Sequence, residues 1–159
     1  MTFPQDASEE PATQPSFSGH RNPPPPRVAL DFFFAEQTTR TVLVVDDSPT
    51  VRKIVQMALQ REHIRVITAS DGLSALTSVA DEMPAVILLD IQLPRMDGYH
   101  ICQIIRKNLQ FRQIPIIMLS GKDGLFDKMR GRLAGSTDFL MKPFDSQQLV
   151  QTVKKYLPL

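Results

Sequence analysis

One cysteine, Cys102, in 159 residues leaves no intrachain disulfide framework, and a reducing, cytosolic setting is the simplest reading. Excess charge of either sign is also missing. Eighteen Lys and Arg stand against 17 Asp and Glu, and a net charge of +1 implies neither nucleic acid nor a membrane surface as partner. No stretch approaches the ~18 consecutive apolar residues of a membrane span. Met1 to Glu10 hold neither a basic segment nor an apolar run, so no secretory leader is expected. The three histidines, His20, His63 and His100, are isolated from one another, which excludes a histidine zinc site. No internal repeat is visible.

What is present is apolar residues, 42% of the chain, enough for one domain with a real core. They are unevenly spread. Residues 1–40 hold seven of the 13 prolines, including the run Pro23 to Pro26, among Ser, Gln, Thr and acids. Such a composition cannot bury enough apolar area to offset chain entropy, and a disordered tail is expected there. Val28-Ala29-Leu30-Asp31-Phe32-Phe33-Phe34 is the exception, read either as a segment resting weakly on the folded part or as a docking peptide.

From Thr41 the chain alternates strand and helix signals. Residues 41–45 form a β-rich run ending in Asp46-Asp47; Ser48-Pro49 then opens a helix with Val51, Ile54, Val55, Ala58 and Leu59 inward. A strand over 64–68 is followed by a helix from Asp71-Gly72 with Leu73, Leu76, Val79 and Ala80 inward. The run 85–89 is apolar on both faces and delivers Asp90. A helix near Asp97 or Gly98 then carries Ile101, Ile104, Ile105 and Leu109. A strand over 115–119 ends at Ser120, and the helix after it points Leu125, Met129 and Leu133 inward. Residues 137–140 make a short strand before Lys142-Pro143, and a last helix from Asp145 buries Leu149, Val153 and Leu157. Strands separated by helices give a parallel sheet with right-handed crossovers. The fold class expected is α/β, a doubly wound five-stranded, flavodoxin-like sheet of strand order 2-1-3-4-5.

In such a sheet ligands bind at the carboxyl ends of the strands. There the threading collects Asp46 and Asp47, Asp90, Ser120 and Lys142. Three carboxylates in one pocket repel one another, and a hard divalent ion such as Mg²⁺, which takes one or two carboxylates and keeps waters, answers that. The set fits phosphoryl transfer to a carboxylate, with catalysis by positioning and cationic stabilisation of the equatorial oxygens. Asp90, alone on the central strand, is the expected nucleophile. Each piece has a plainer reading: Asp46-Asp47 before Ser-Pro as helix capping, Lys142-Pro143 as a turn. The specific signal is their joint order along the strand ends.

These motifs resemble the receiver domain of two-component response regulators, over about residues 41–158. The matching stretches are Val44-Val45-Asp46-Asp47-Ser48, Leu89-Asp90-Ile91-Gln92-Leu93-Pro94-Arg95-Met96-Asp97-Gly98, Met118-Leu119-Ser120-Gly121 and Lys142-Pro143-Phe144. The resemblance implies Asp90 as phosphoacceptor for a histidine kinase. It implies a Mg²⁺ site of Asp46 and Asp47, with Asp47, Asp90 and the Gln92 backbone carbonyl as direct ligands. Ser120 and Lys142 are implied to contact the phosphoryl group, Phe139 to be the aromatic switch, and the Lys142-Pro143 bond to be cis. Ser120-Gly121-Lys122-Asp123-Gly124-Leu125-Phe126-Asp127-Lys128 further resembles single-domain receivers of the type IV pilus (twitching motility) chemosensory system. Gly121 replaces the alanine usual in the family.

The expected function is a phosphorylation switch in a monomeric, cytoplasmic protein. Its signalling face would be built from the fourth helix, the fifth strand and the last helix, with Lys122, Lys128, Arg130, Arg132, Lys154 and Lys155. These charges are either an acidic partner's docking surface or simply a solvated face. No nucleic-acid partner is expected, since no recognition motif accompanies the basic residues. The alternatives are a phosphate sink for a shared kinase and a haloacid-dehalogenase-like phosphatase. The latter wants an Asp-x-Asp motif on the first strand, which Asp46-Asp47-Ser48 does not supply.

Overall fold

The computed structural model describes residues 40–121 and 124–158. The expectations for the Pro-rich tail, for Val28 to Phe34 and for Lys122 lie outside them.

Thr41, Val42, Leu43, Val44 and Val45 are all buried and form β1 (Thr41–Val45). Ser48 caps the next helix, α1 (Pro49–Gln60), its hydroxyl accepting from the Val51 N–H with Pro49 at the first helical position. Then follow β2 (Arg65–Ala69), α2 (Gly72–Glu82), β3 (Val86–Asp90), α3 (Gly98–Lys107), β4 (Ile116–Ser120), α4 (Gly124–Ala134), β5 (Asp138–Met141) and α5 (Ser146–Lys154). The strands are parallel in the order β2-β1-β3-β4-β5, as the alternation of elements predicts. Strands β2 to β5 each begin and end one residue later than the apolar runs suggest, so Asp90 and Ser120 are the last residues of their strands rather than the first of their loops.

Side chains alternate between two layers. Leu43, Val45, Ile87, Leu89, Ile116 and Met118 meet α2, α3 and α4 on one face; Val42, Val44, Val86, Leu88, Ile117 and Leu119 meet α1 and α5 on the other. Cys102 lies fully buried in the first layer, where burial raises its thiol pKa. Asp145 and Gln148 form a reciprocal capping box on α5, and Leu149, Val153 and Leu157 are buried as expected.

Several helices are rotated from the expected faces. Ile54 on α1, Leu73 and Ala80 on α2, and Leu109, which falls beyond the end of α3, are exposed. On α2 the inward row is Gly72, Ala75 and Val79. Adding a Cβ at Gly72 would bring it within 2.9 Å of Ile101 Cδ1, so the small residue lets α2 sit close to α3. The largest correction is α4. Leu125, Met129 and Leu133 are 78%, 63% and 87% exposed, and Phe126 joins them. The helix packs instead through Gly131 and Ala134, with Asp127 on the same inward side. Polar bonds and small residues, not the apolar stripe, set its rotation.

Candidate functional site

The parallel strands bring their carboxyl ends to one rim, and all the polar residues singled out in the sequence arrive there. Asp46, the residue after β1, is fully buried; Asp90 is 5% exposed; Asp47 faces solvent. One carboxylate oxygen from each of the three lies within 4.8 Å of the others. Lys142, beyond β5, reaches in from the far side of the sheet. Its Nζ donates to Asp46 Oδ2 at 2.6 Å and stands 3.3 Å from Asp90 Oδ1. The Lys142-Pro143 bond is cis, as the resemblance implies.

Local backbone donors hold the carboxylates. The Ser48 N–H donates to Asp46 Oδ1 at 2.9 Å, and the Gln92 N–H to Asp90 Oδ1 at 3.3 Å. Arg52 reaches back from α1 to the Asp46 carbonyl at 2.7 Å. Gly98 is required by close approach: a Cβ there would lie 2.3 Å from the Asp90 carbonyl oxygen. Its N–H donates to the Ile91 carbonyl at 2.9 Å, tying the start of α3 to the end of β3.

The electrostatics follow from crowding. Burial, and next the Asp46 carboxylate, raise the Asp90 pKa to about 6, against the opposing pull of Lys142. Burial alone would lower the Lys142 pKa, but its hydrogen bond to Asp46 and the charges of Asp90 and Asp46 outweigh it, and the ammonium is held above the ordinary lysine value. Three carboxylates against one ammonium leave the cluster short of positive charge. The donors are all oxygens, so the group that fits is a hard divalent cation.

Ser120, 1% exposed at the end of β4, does not turn toward the carboxylates. Its hydroxyl donates to Asp127 Oδ2 at 2.6 Å, on α4. The other oxygen of Asp127 accepts from the Tyr99 hydroxyl at 2.6 Å, and the Arg130 guanidinium lies 4.4 Å from the centre of the Tyr99 ring. Burial and the Asp127 carboxylate both raise the Tyr99 pKa. Sequence reasoning did not single out Asp127 or Tyr99 as site residues. An acid in the first turn of a helix reads as dipole complement, and nothing in the sequence aims it at Ser120. Phe139 is half-buried on the same side as α4, paired in register with Met118.

A sheet wound this way, with a buried aspartate and a lysine converging at its rim, is the arrangement of the receiver class. The family model for the response regulator receiver domain matches residues 42–154, and the chain belongs to that family, whose members serve two-component signalling. Among individual relatives, Protein PilG of Pseudomonas aeruginosa is 46% identical over 117 residues, covering 74% of this chain and 87% of PilG. The alkaline phosphatase synthesis transcriptional regulatory protein PhoP of Bacillus subtilis is 40% identical over 118 residues, 74% of this chain but only 48% of that protein. A high-resolution structure of chemotaxis response regulator CheY4 of Vibrio cholerae superimposes with a TM-score of 0.70 at 34% identity, covering 74% of this chain and 98% of CheY4. Among the described residues no helix is long and apolar enough to cross a membrane.

Proposed function

We propose that residues 41–158 form a receiver that takes a phosphoryl group on Asp90 from the phosphohistidine of a histidine kinase and signals by phosphorylation-dependent protein binding. The observation that carries this is the convergence of Asp46, Asp47, Asp90 and Lys142 at one rim, with the Lys142 ammonium 3.3 Å from Asp90. An Asp90 carboxylate oxygen attacks phosphorus, the N–P bond of the donor breaks, and the imidazole leaves with the electron pair. Asp46, Asp47, Asp90 and the Gln92 carbonyl would hold Mg²⁺, which when bound neutralises charge on the transferred group. Lys142 stands ready to leave its pairing with the Asp90 oxygen for a phosphoryl oxygen. Ser120 supplies a hydroxyl donor to another, and Phe139 moves toward the space Ser120 vacates.

The target is a protein that docks on the face of α4, β5 and α5. Leu125, Phe126, Met129, Leu133 and Met141 expose apolar surface there, interleaved with the exposed Lys128 and Arg132. Lys154 contributes less to that face than the sequence suggests, because it pairs with Glu62 of α1 at 2.6 Å. The Ser120 to Lys128 motif supports placing the switch in type IV pilus control, and the identity with PilG supports the same reading. The test is the mass of the protein after incubation with Mg²⁺ and acetyl phosphate, wild type beside Asp90→Asn. One phosphate added to wild type alone is expected; an equal adduct on the variant would displace Asp90 as acceptor.

A further inference from the structure

The Ser120 hydroxyl has one proton, and in this structure that proton is committed to Asp127 at 2.6 Å, away from Asp90. A bond from a hydroxyl to a carboxylate at this length is charge-assisted and among the stronger hydrogen bonds a protein makes. The carboxylate is fixed in turn. The buried Tyr99 hydroxyl holds its second oxygen at 2.6 Å, and Arg130, one turn along α4, rests on the Tyr99 ring. The first half of α4 has little else to hold it, since the helix buries only Gly131 and Ala134, both in its second half. One carboxylate therefore joins three elements: the end of β4, the start of α3 and the first turn of α4.

We propose that Asp127 is a positioning residue of the switch. Its carboxylate keeps the Ser120 proton from the acceptor site in the unphosphorylated protein, so that a phosphoryl group on Asp90 takes this hydrogen bond from α4 and releases the first turn of the helix. This rests on the reading of Asp90 as phosphoacceptor and Ser120 as phosphoryl contact. It makes α4 and the phosphoryl group competitors for one donor. The competition raises the threshold for activation and delivers the change to the helix that presents Leu125, Phe126 and Met129. A merely structural Asp127 would do no more than satisfy the buried Tyr99 hydroxyl, as any buried tyrosine requires.

The two roles separate on substitution. In Asp127→Asn the amide oxygen can still accept from Tyr99, while the amide nitrogen donates to Ser120 Oγ and frees the serine proton. In Tyr99→Phe the ring stays beneath Arg130 and Asp127 keeps Ser120. The probe is beryllium trifluoride with Mg²⁺, a phosphoryl mimic, titrated into the full chain. Asp127→Asn is expected to bind it about tenfold more tightly than wild type, the loss of one competing charge-assisted bond, and Tyr99→Phe no more tightly than wild type. Unchanged or weaker binding by Asp127→Asn overturns the proposal. Tighter binding by both variants overturns it too, because general loosening of α4 would then suffice. Hydrogen exchange on wild type needs no variant: the amides of the first turns of α4 should exchange faster with the mimic bound, and unchanged exchange there refutes the release. If wild type takes neither the mimic nor a phosphate adduct, the reading of Asp90 fails and this one with it. An adduct on Asp90 with no effect of Asp127→Asn sinks this one alone.

Discussion

At the scale of single residues, Asp90 and Gly98 carry the sharpest consequences. An aspartate whose pKa is raised to about 6 keeps its proton in the folded protein where the unfolded chain, with an ordinary value of ~3.9, has lost it. Stability contributed at this site is therefore greatest below pH ~4, falls as pH rises, and is fully lost above about pH 6. Without divalent cation, Asp90→Asn should be more stable than wild type at pH 7.5, by on the order of 2 kcal/mol, with the gain fading toward pH 4. Denaturant unfolding in EDTA at the two pH values measures it, and a variant destabilised equally at both would contradict the assignment of crowding. Gly98 acts through space. With its Cβ position 2.3 Å from the Asp90 carbonyl, Gly98→Ala must push α3 off the end of β3. A loss of about 2–3 kcal/mol is expected, as for other overpacked sites. Thermal unfolding reports it, and phosphate uptake from acetyl phosphate should slow in parallel because Asp90 moves.

At the scale of elements, α5 and α4 show the reach and the limit of periodicity. On α5 the spacing of Leu149 and Val153, continued by Leu157 just beyond the helix, names the buried face and Asp145 names the start, and both hold. On α4 the same spacing, Leu125, Met129 and Leu133, names the exposed face. Apolar periodicity says that a helix has a stripe; it does not say that the stripe meets its own core rather than another protein. The small residues Gly131 and Ala134 and the carboxylate of Asp127 are what approach the sheet, and none of these stands out in a hydrophobic pattern. Replacing Leu125, Met129 and Leu133 together by serine should change stability by less than ~1 kcal/mol, as surface substitutions do, whereas Leu59→Ala in the fully buried face of α1 should cost about 3 kcal/mol. Urea midpoints compare the two, and a triple variant as damaging as Leu59→Ala would mean α4 is turned inward after all.

At the scale of the whole molecule, the site joins the two ends of the fold. Lys142 and Asp46 are 96 positions apart in the chain and 2.6 Å apart in space. A ligand that binds only the assembled rim stabilises the fold by mass action. Mg²⁺ should therefore raise the melting temperature of wild type, each tenfold above the dissociation constant adding about 1.4 kcal/mol, and the increment should shrink in Asp47→Asn. Calorimetry with and without Mg²⁺ tests this; an equal increment in both proteins would remove Asp47 from the metal site.

The sequence alone determined the alternation of strands and helices, the parallel sheet that follows from it, and the sequence of Asp46-Asp47, Asp90, Ser120 and Lys142 along the strand ends. These depend on local pattern and on the handedness of crossovers, which neighbours along the chain already specify. Tertiary structure decided the rest: which face of α4 is buried, which carboxylates share Lys142, and the delivery of Asp127 to Ser120 and Tyr99. Those outcomes depend on how far each helix turns about its axis when its small and polar residues meet the sheet, and that rotation is set by contacts between elements rather than by the order of residues within one.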